Sequence, residues 1–124
     1  MDTTAARELL AGIAARDYGR IEACFAEDAE LRALTPHELR EEHGPAAIAR
    51  RYREWLGSLV EFEVIDSDAV AIADRIRIRY HFRGRDAAKG WQENEHTTYA
   101  ELVGGVIARL NLSCAGFRPA EPAA

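Results

Sequence analysis

Between Arg75 and Phe117 the chain alternates in a way that leaves few folds open to it. In residues 75–83, Ile76, Ile78, Tyr80 and Phe82 fall on one side, while Arg75, Arg77, Arg79, His81 and Arg83 fall on the other. A period of two with bulky apolar residues in one row is the mark of a strand buried on one face. After a loop at 84–90, residues 91–102 alternate again, with Glu93, Glu95 and Glu101 in one row and Gln92, Asn94, His96 and Thr98 in the other. Antiparallel pairing that sets Arg79 opposite Glu95 and His81 beside Glu93 matches opposite charges across the ladder, and a slip of one residue does not. The charged rows therefore share the outer face. Phe82, Tyr80 and Ile78 then lie against Gln92, Asn94 and His96, so polar side chains point at the core and need partners: one another, water or a ligand.

A third strand follows Gly104-Gly105, where positive φ costs little. Its rows are Ala108, Leu110, Leu112 and Cys114 on one side and Ile107, Arg109, Asn111 and Ser113 on the other. A three-residue turn sends the apolar row inward, opposite Asn94, His96 and Thr98, and sets Arg109 against Tyr99 outside. A two-residue turn would bury Arg109, so burial cost predicts the longer turn.

Upstream of these strands the spacing is helical. Asp2, Thr3 or Thr4 can cap a first helix carrying Leu9, Leu10 and Ile13 in a stripe, and Asp17 can cap a second over 18–27 with Ile21, Cys24 and Phe25 inward. Leu31 and Ala33 suggest a short strand over 29–34, followed by the polar loop TPHELREEHG at 35–44. Pro45 suits the first turn of a third helix, whose buried face holds Ile48, Tyr52, Trp55, Leu56 and Leu59. Residues 61–72 alternate weakly and break near 66–68, which predicts a bulged or bent strand turning at Ala73-Asp74. Three helices followed by long antiparallel strands make an α+β fold, with the helices packed on one face of a strongly curved, mostly antiparallel sheet.

At 124 residues and 48% hydrophobic, the chain is expected to form one domain over 1–117 with a frayed tail over 118–124. Sixteen basic residues mixed among 21 acidic ones, a net charge of −5, speak against nucleic acid or an anionic membrane as partner. Cys24 and Cys114 make no disulfide framework. MDTTAARELLAGI lacks the basic and apolar regions of a signal peptide, and no stretch has the length of a membrane span. A soluble protein in a reducing cytoplasm is the expectation.

The order helix, helix, short strand, helix, long hairpins resembles the nuclear transport factor 2-like superfamily, in particular its SnoaL-like bacterial members. ARDYGRIEACFAEDAEL, HGPAAI and YAELVGGVIARLNL carry the resemblance, which spans roughly Ala5 to Phe117. It implies a cone-shaped half-barrel with a pocket between sheet and helices, and a homodimer through the outer sheet face. The superfamily holds isomerases, cyclases, dehydratases, epoxide hydrolases and plain binders, so the fold alone assigns no activity. Where the ketosteroid isomerase-like members place a base Asp, this chain has Ala33; their oxyanion-holding acid falls near Thr98, and their helix-borne Tyr near Leu9. No Asp stands on an inward row of the three main strands, as epoxide hydrolases and cyclases of this fold require. Dehydratases of the superfamily use a pocket histidine with a carboxylate, and His96 matches half of that pattern.

His96 is accordingly the candidate catalytic residue, a general base or acid beside Asn94, Thr98 and Tyr80. The plainer reading is a buried histidine satisfied by a neighbouring hydroxyl or amide. Cys114, opposite Asn94 and diagonal to His96, is a nucleophile candidate or a small core residue. Trp55, Leu110 and Leu112 are candidate pocket lining or ordinary core. Trp91 and Tyr99 lie on the outer row, where a dimer contact is the natural use. His37 and His43 stand near Glu38, Glu41 and Glu42, but their spacing fits no metal pattern. That loop is expected to border the cavity mouth and to be able to move as a lid. Arg7, Arg16, Arg50, Arg51 and Arg53 are read as solvated helix faces. Three functions follow: a cofactor-independent acid-base enzyme acting on a small, largely apolar or mixed-polarity molecule, a non-catalytic binder of such a molecule, or a dimeric interaction module.

Overall fold

A computed structural model describes residues 1–120. The chain runs α1 (Thr4–Ala15), α2 (Tyr18–Glu22), β1 (Phe25–Leu34), β2 (Leu39–His43), α3 (Pro45–Leu56), β3 (Glu61–Ile72), β4 (Arg75–Asp86), β5 (Gly90–Val103), β6 (Val106–Cys114) and β7 (Arg118–Pro119). Among the described residues the seven strands form one curved, unclosed sheet in the order β2-β1-β6-β5-β4-β3, with β7 on β5. All neighbours are antiparallel except β1 and β6, which run parallel. The helices pack on the inner side through Leu9, Ile13, Ile21, Ile48, Tyr52 and Leu56. None of them is long and apolar enough to cross a membrane.

The inner row of β4 is as expected: Ile76, Ile78, Tyr80 and Phe82 have no solvent exposure. Its register on β5 is displaced by two residues, with Tyr80 opposite His96 and Phe82 opposite Asn94. A shift of two keeps every side chain on its own face. The cause is the turn: both strands run further than expected, and the Asp86 carboxylate accepts the backbone N–H groups of Ala88 and Lys89 to close a short connection. Charge matching survives on the diagonal. Arg79 reaches Glu95 (3.1 Å), Asp66 (2.7 Å) and Asp68 (3.4 Å), and His81 lies 3.6 Å from Glu93.

The β5–β6 turn is the two-residue Gly104-Gly105, with φ of 59° and 82°. It buries no arginine, because Ala108 bulges out between the Leu102–Ile107 and Glu101–Arg109 pairs. The inward row is therefore Ile107, Leu110 and Leu112, and Arg109 faces Glu101 rather than Tyr99.

Three further expectations change. α2 stops at Glu22 rather than 27, because Phe25 pairs with Ile107 in the parallel β1–β6 ladder and the Cys24 carbonyl accepts the Ile107 N–H. The polar loop at 35–44 contains β2, an edge strand hydrogen-bonded along β1, so only the turn ahead of Leu39 is left as loop. Arg16 and Arg51 are not solvated helix faces. Arg16 caps α1 at φ 50° and donates to the Leu56 and Leu59 carbonyls, tying α1 to the end of α3, while Arg51 binds Glu42 and Glu54. β3 is bulged between Val64 and Asp66, as its sequence implies. Of the tail read as frayed, Arg118–Pro119 pairs with β5 and the Ala120 N–H reaches the Trp91 carbonyl; 121–124 lie outside the described residues.

Candidate binding cleft at the mouth of the cone

The polar row of β5 points inward, and the protein itself supplies most of its partners. The Thr98 hydroxyl donates to the Ile78 carbonyl at 2.8 Å. Asn94 accepts the Glu95 N–H at 2.8 Å through Oδ1, and its Nδ2 lies 3.3 Å from Cys114 Sγ. Gln92 turns back to the Trp91 carbonyl. His96, only 3% exposed, bonds through Nδ1 to the Tyr80 hydroxyl at 2.5 Å.

That bond fixes the orientation of the imidazole. The Tyr80 hydroxyl is fully buried, and burial holds its pKa well above the tyrosine range, so it keeps its proton. A protonated hydroxyl in this position donates to Nδ1 in one ring tautomer and accepts the Nδ1 proton in the other. Burial also depresses the His96 pKa from 6.5 to about 3, and the ring is neutral at pH 7. Among the described residues no carboxylate bonds to it, and its neighbours are the rings of Trp55 (5.4 Å), Tyr80 (5.1 Å) and Phe82 (5.3 Å). His96, read from the sequence as a general base or acid, is thus a buried, neutral imidazole bonded to Tyr80.

The expected hollow beneath the helices is filled. Tyr52, Tyr80 and Phe82 are wholly buried there, and so are Thr98 and Leu110. Tyr80, Thr98 and Leu110 are core. Leu112 borders a shallow groove of about 280 Å³ on the other side of the sheet, beside Leu34, Leu39 and Tyr99. Asn94 reaches a surface depression next to His81 and Glu95.

Open space lies instead at the mouth of the cone, in a cleft of about 440 Å³. Trp55 of α3 and Cys114 at the end of β6 form its base, and both flank His96. Phe117 makes a second aromatic wall, held edge-on to Phe82 at 5.8 Å. The turn before β2 gives Pro36, His37 and Glu38 to the rim, along with Arg40, so the segment expected to border the mouth does so. Lys89 and Arg118 complete the rim from the β4–β5 turn and β7. Gly116 sets the approach of the two sides: at φ 91°, a Cβ there would stand 2.8 Å from Pro36 Cγ. Of the residues singled out in the sequence, Trp55, Cys114, His37 and Glu38 line this cleft, and His96 sits behind Trp55 and Cys114. Phe117, Lys89 and Arg118 escape a sequence reading because they come from the far ends of different strands.

Among solved structures, the chain is similar to a proposed polyketide cyclase from Xanthomonas campestris, at 17% identity and a TM-score of 0.73 over 90% of this chain and 87% of that one. A protein with a ketosteroid isomerase-like fold from Catenulispora acidiphila, in complex with trimethylamine, matches at 12% identity and 0.73 over 90% and 85%. A proposed ketosteroid isomerase from Kribbella flavida matches at 18% and 0.69 over 96% and 81%. At these identities the likeness is one of fold. A search of curated proteins finds no match. The family model of the SnoaL-like domain matches residues 6–110, and the chain belongs to that family.

Proposed function

We propose that this protein binds a small, largely apolar molecule of mixed polarity in the cleft at the cone mouth. The observation that carries this reading is the cleft itself: about 440 Å³, walled by Trp55 and Phe117 and backed by Cys114 and His96, within the roughly 300–1,000 Å³ usual for ligand sites. Asn94 holds Cys114 in place, and Tyr80 holds His96 behind Trp55. Thr98, Leu110 and Leu112 support the strands that carry these groups.

Binding is favoured over acid-base catalysis because a ring with a pKa near 3 and no carboxylate partner is a poor proton shuttle at pH 7. One observation supports a catalytic reading of a different kind. A neutral imidazole, buried and held by Tyr80, can polarise a carbonyl without changing charge in the tautomer that carries its proton on Nε2. Relatives named as isomerases and cyclases accord with a carbonyl-bearing ligand. The outer groove with Leu34, Leu39 and Tyr99 exposed on its walls fits a homodimer through that face. Two free cysteines, one of them buried, fit a cytoplasmic setting.

The test is a thermal-shift screen of steroid, terpenoid and polyketide-like compounds, followed by tryptophan fluorescence. Ligands of the cleft raise the melting temperature by mass action and change emission in the wild type but not in Trp55→Phe, since Trp91 lies away from the cleft beneath Arg83. Hits whose signal persists unchanged in Trp55→Phe and Phe117→Ala, or a screen with no hit, would refute the site.

A further inference from the structure

We infer that the cleft takes an organic anion: a carboxylate on a small apolar body, its charged end between Lys89 and Arg118 and its body against Trp55 and Phe117. This rests on the cleft being the binding site, and it adds the ligand's charge.

The chain carries net charge −5, yet the charged lining of the cleft is Arg40, Lys89 and Arg118 against Glu38 alone. Glu38 is already committed, at 2.5 Å from Arg40. That leaves two cations. Elsewhere on the surface Arg20, Arg32, Arg51, Arg75, Arg77, Arg79, Arg83 and Arg85 each lie within 4 Å of a carboxylate, while among the described residues Arg7, Arg50 and Arg109, none of which lines the cleft, do not. Lys89 and Arg118 have no such partner among the described residues. Their nearest acids in the fold are turned to other work. Asp86 spends its carboxylate on the N–H groups of Ala88 and Lys89, and Glu93, opposite Arg118 in register, lies 3.6 Å from His81.

Lys89 is also the chain's single lysine, beside 15 arginines. A compact ammonium on a flexible stem suits a point contact with one carboxylate oxygen, and the arginine fork suits the other. Two cations without an ion-pair partner among the described residues, at the rim of a concave, aromatic-walled site, focus positive potential where a ligand would enter. The neutral His96 behind Trp55 adds no charge that an anion would have to share. A cationic ligand meets repulsion at the same rim.

Calorimetric titration with matched sets separates this inference from the reading beneath it. Each set joins one body, phenyl, naphthyl or decalinyl, to an acetate, an acetamide and an ethanol group. In the best-fitting set the carboxylate is expected to bind about tenfold more tightly than either neutral compound. Lys89→Gln with Arg118→Gln, or 0.5 M salt, should erase most of that margin and leave the neutral compounds unchanged. A second readout uses the lone side-chain amine: the carboxylate should slow acetylation of Lys89, followed by mass spectrometry, and the alcohol should not. Equal affinity for acid, amide and alcohol, all weakened by Phe117→Ala, overturns the anion and leaves the cleft standing. No binding by any compound of the three sets at millimolar concentration counts against both.

Discussion

The two ends of the cone handle polar groups in opposite ways. In the deep end, polar side chains are buried and mostly spent on the protein: Thr98 on the Ile78 carbonyl, Tyr80 on His96, Asn94 on Cys114 and Glu95. At the mouth, Lys89 and Arg118 stand without an ion-pair partner among the described residues, beside Trp55 and Phe117, which pack on the core by one edge and line the cleft with the rest. Groups that fold a protein are satisfied inside it, because an unpaired buried polar atom costs about 1–3 kcal/mol. Groups that serve a ligand are left open. By that contrast the inward polar row of β5, the most conspicuous feature of the sequence, is bonded within the architecture, and the proposed site lies where strands and turns end.

The contrast breaks first at Phe82. Its ring meets Phe62, His96 and Phe117 in the sealed part of the cone, so Phe82→Ala is expected to cost about 3–5 kcal/mol in urea denaturation. A loss under 1 kcal/mol would mean the deep end is a ligand hollow after all. Next comes pH. Folded His96 stays unprotonated down to about pH 3, whereas the unfolded ring takes a proton near 6.5. The unfolded state then binds the extra proton between those values, so this contribution is complete above pH 6.5 and is lost as pH falls. Its slope approaches about 1.4 kcal/mol per pH unit, or about 2 kcal/mol by pH 5. Denaturation curves of the wild type and His96→Gln between pH 8 and 5 should diverge by that amount. Parallel curves would mean the ring already titrates like an exposed one. Thr98→Val, which deletes the hydroxyl bound to the Ile78 carbonyl, is expected to cost about 1 kcal/mol and to leave ligand affinity in the cleft unchanged.

Much of the fold was legible because period-two rows are local. Ile76 to Phe82 and Gln92 to Thr98 had to face inward whatever the turn did, which is why a register wrong by two still had every face right. What local spacing cannot show is pairing between distant segments. α2 ends early because Phe25 meets Ile107 some eighty residues away, and neither segment carries that information alone. β2 was hidden by its own protection: Arg40, Glu41 and Glu42 on an edge strand look like a solvated loop, and charge is how edges are kept from pairing with other chains. For the site, Trp55 and Cys114 were visible as an aromatic on a buried helix face and a thiol beside His96. The cationic rim was not, since Arg40, Lys89 and Arg118 come from three strands or turns and share no spacing.

The smallest expected effect is the one that most sharpens the contrast. Arg51 is a paired charge, 16% exposed, which joins β2 to α3 through Glu42 at 2.8 Å and also holds Glu54. Removing it in Arg51→Gln leaves Glu42 half-buried without its partner, and a loss of about 1 kcal/mol is expected. Lys89 and Arg118 are exposed and have no ion-pair partner among the described residues. If they were there for the fold, neutralising them would cost a similar amount. If they are there for a ligand, Lys89→Gln and Arg118→Gln should leave the unfolding midpoint of the free protein in place, within about 0.5 kcal/mol. The difference should appear once ligand is added: a compound that stabilises the wild type through the rim should stabilise these variants less, since the stabilisation by binding grows with the ratio of ligand concentration to Kd. Charges that matter only in the bound state therefore separate from charges that matter in both, and a destabilised free Lys89→Gln would return that lysine to the architecture.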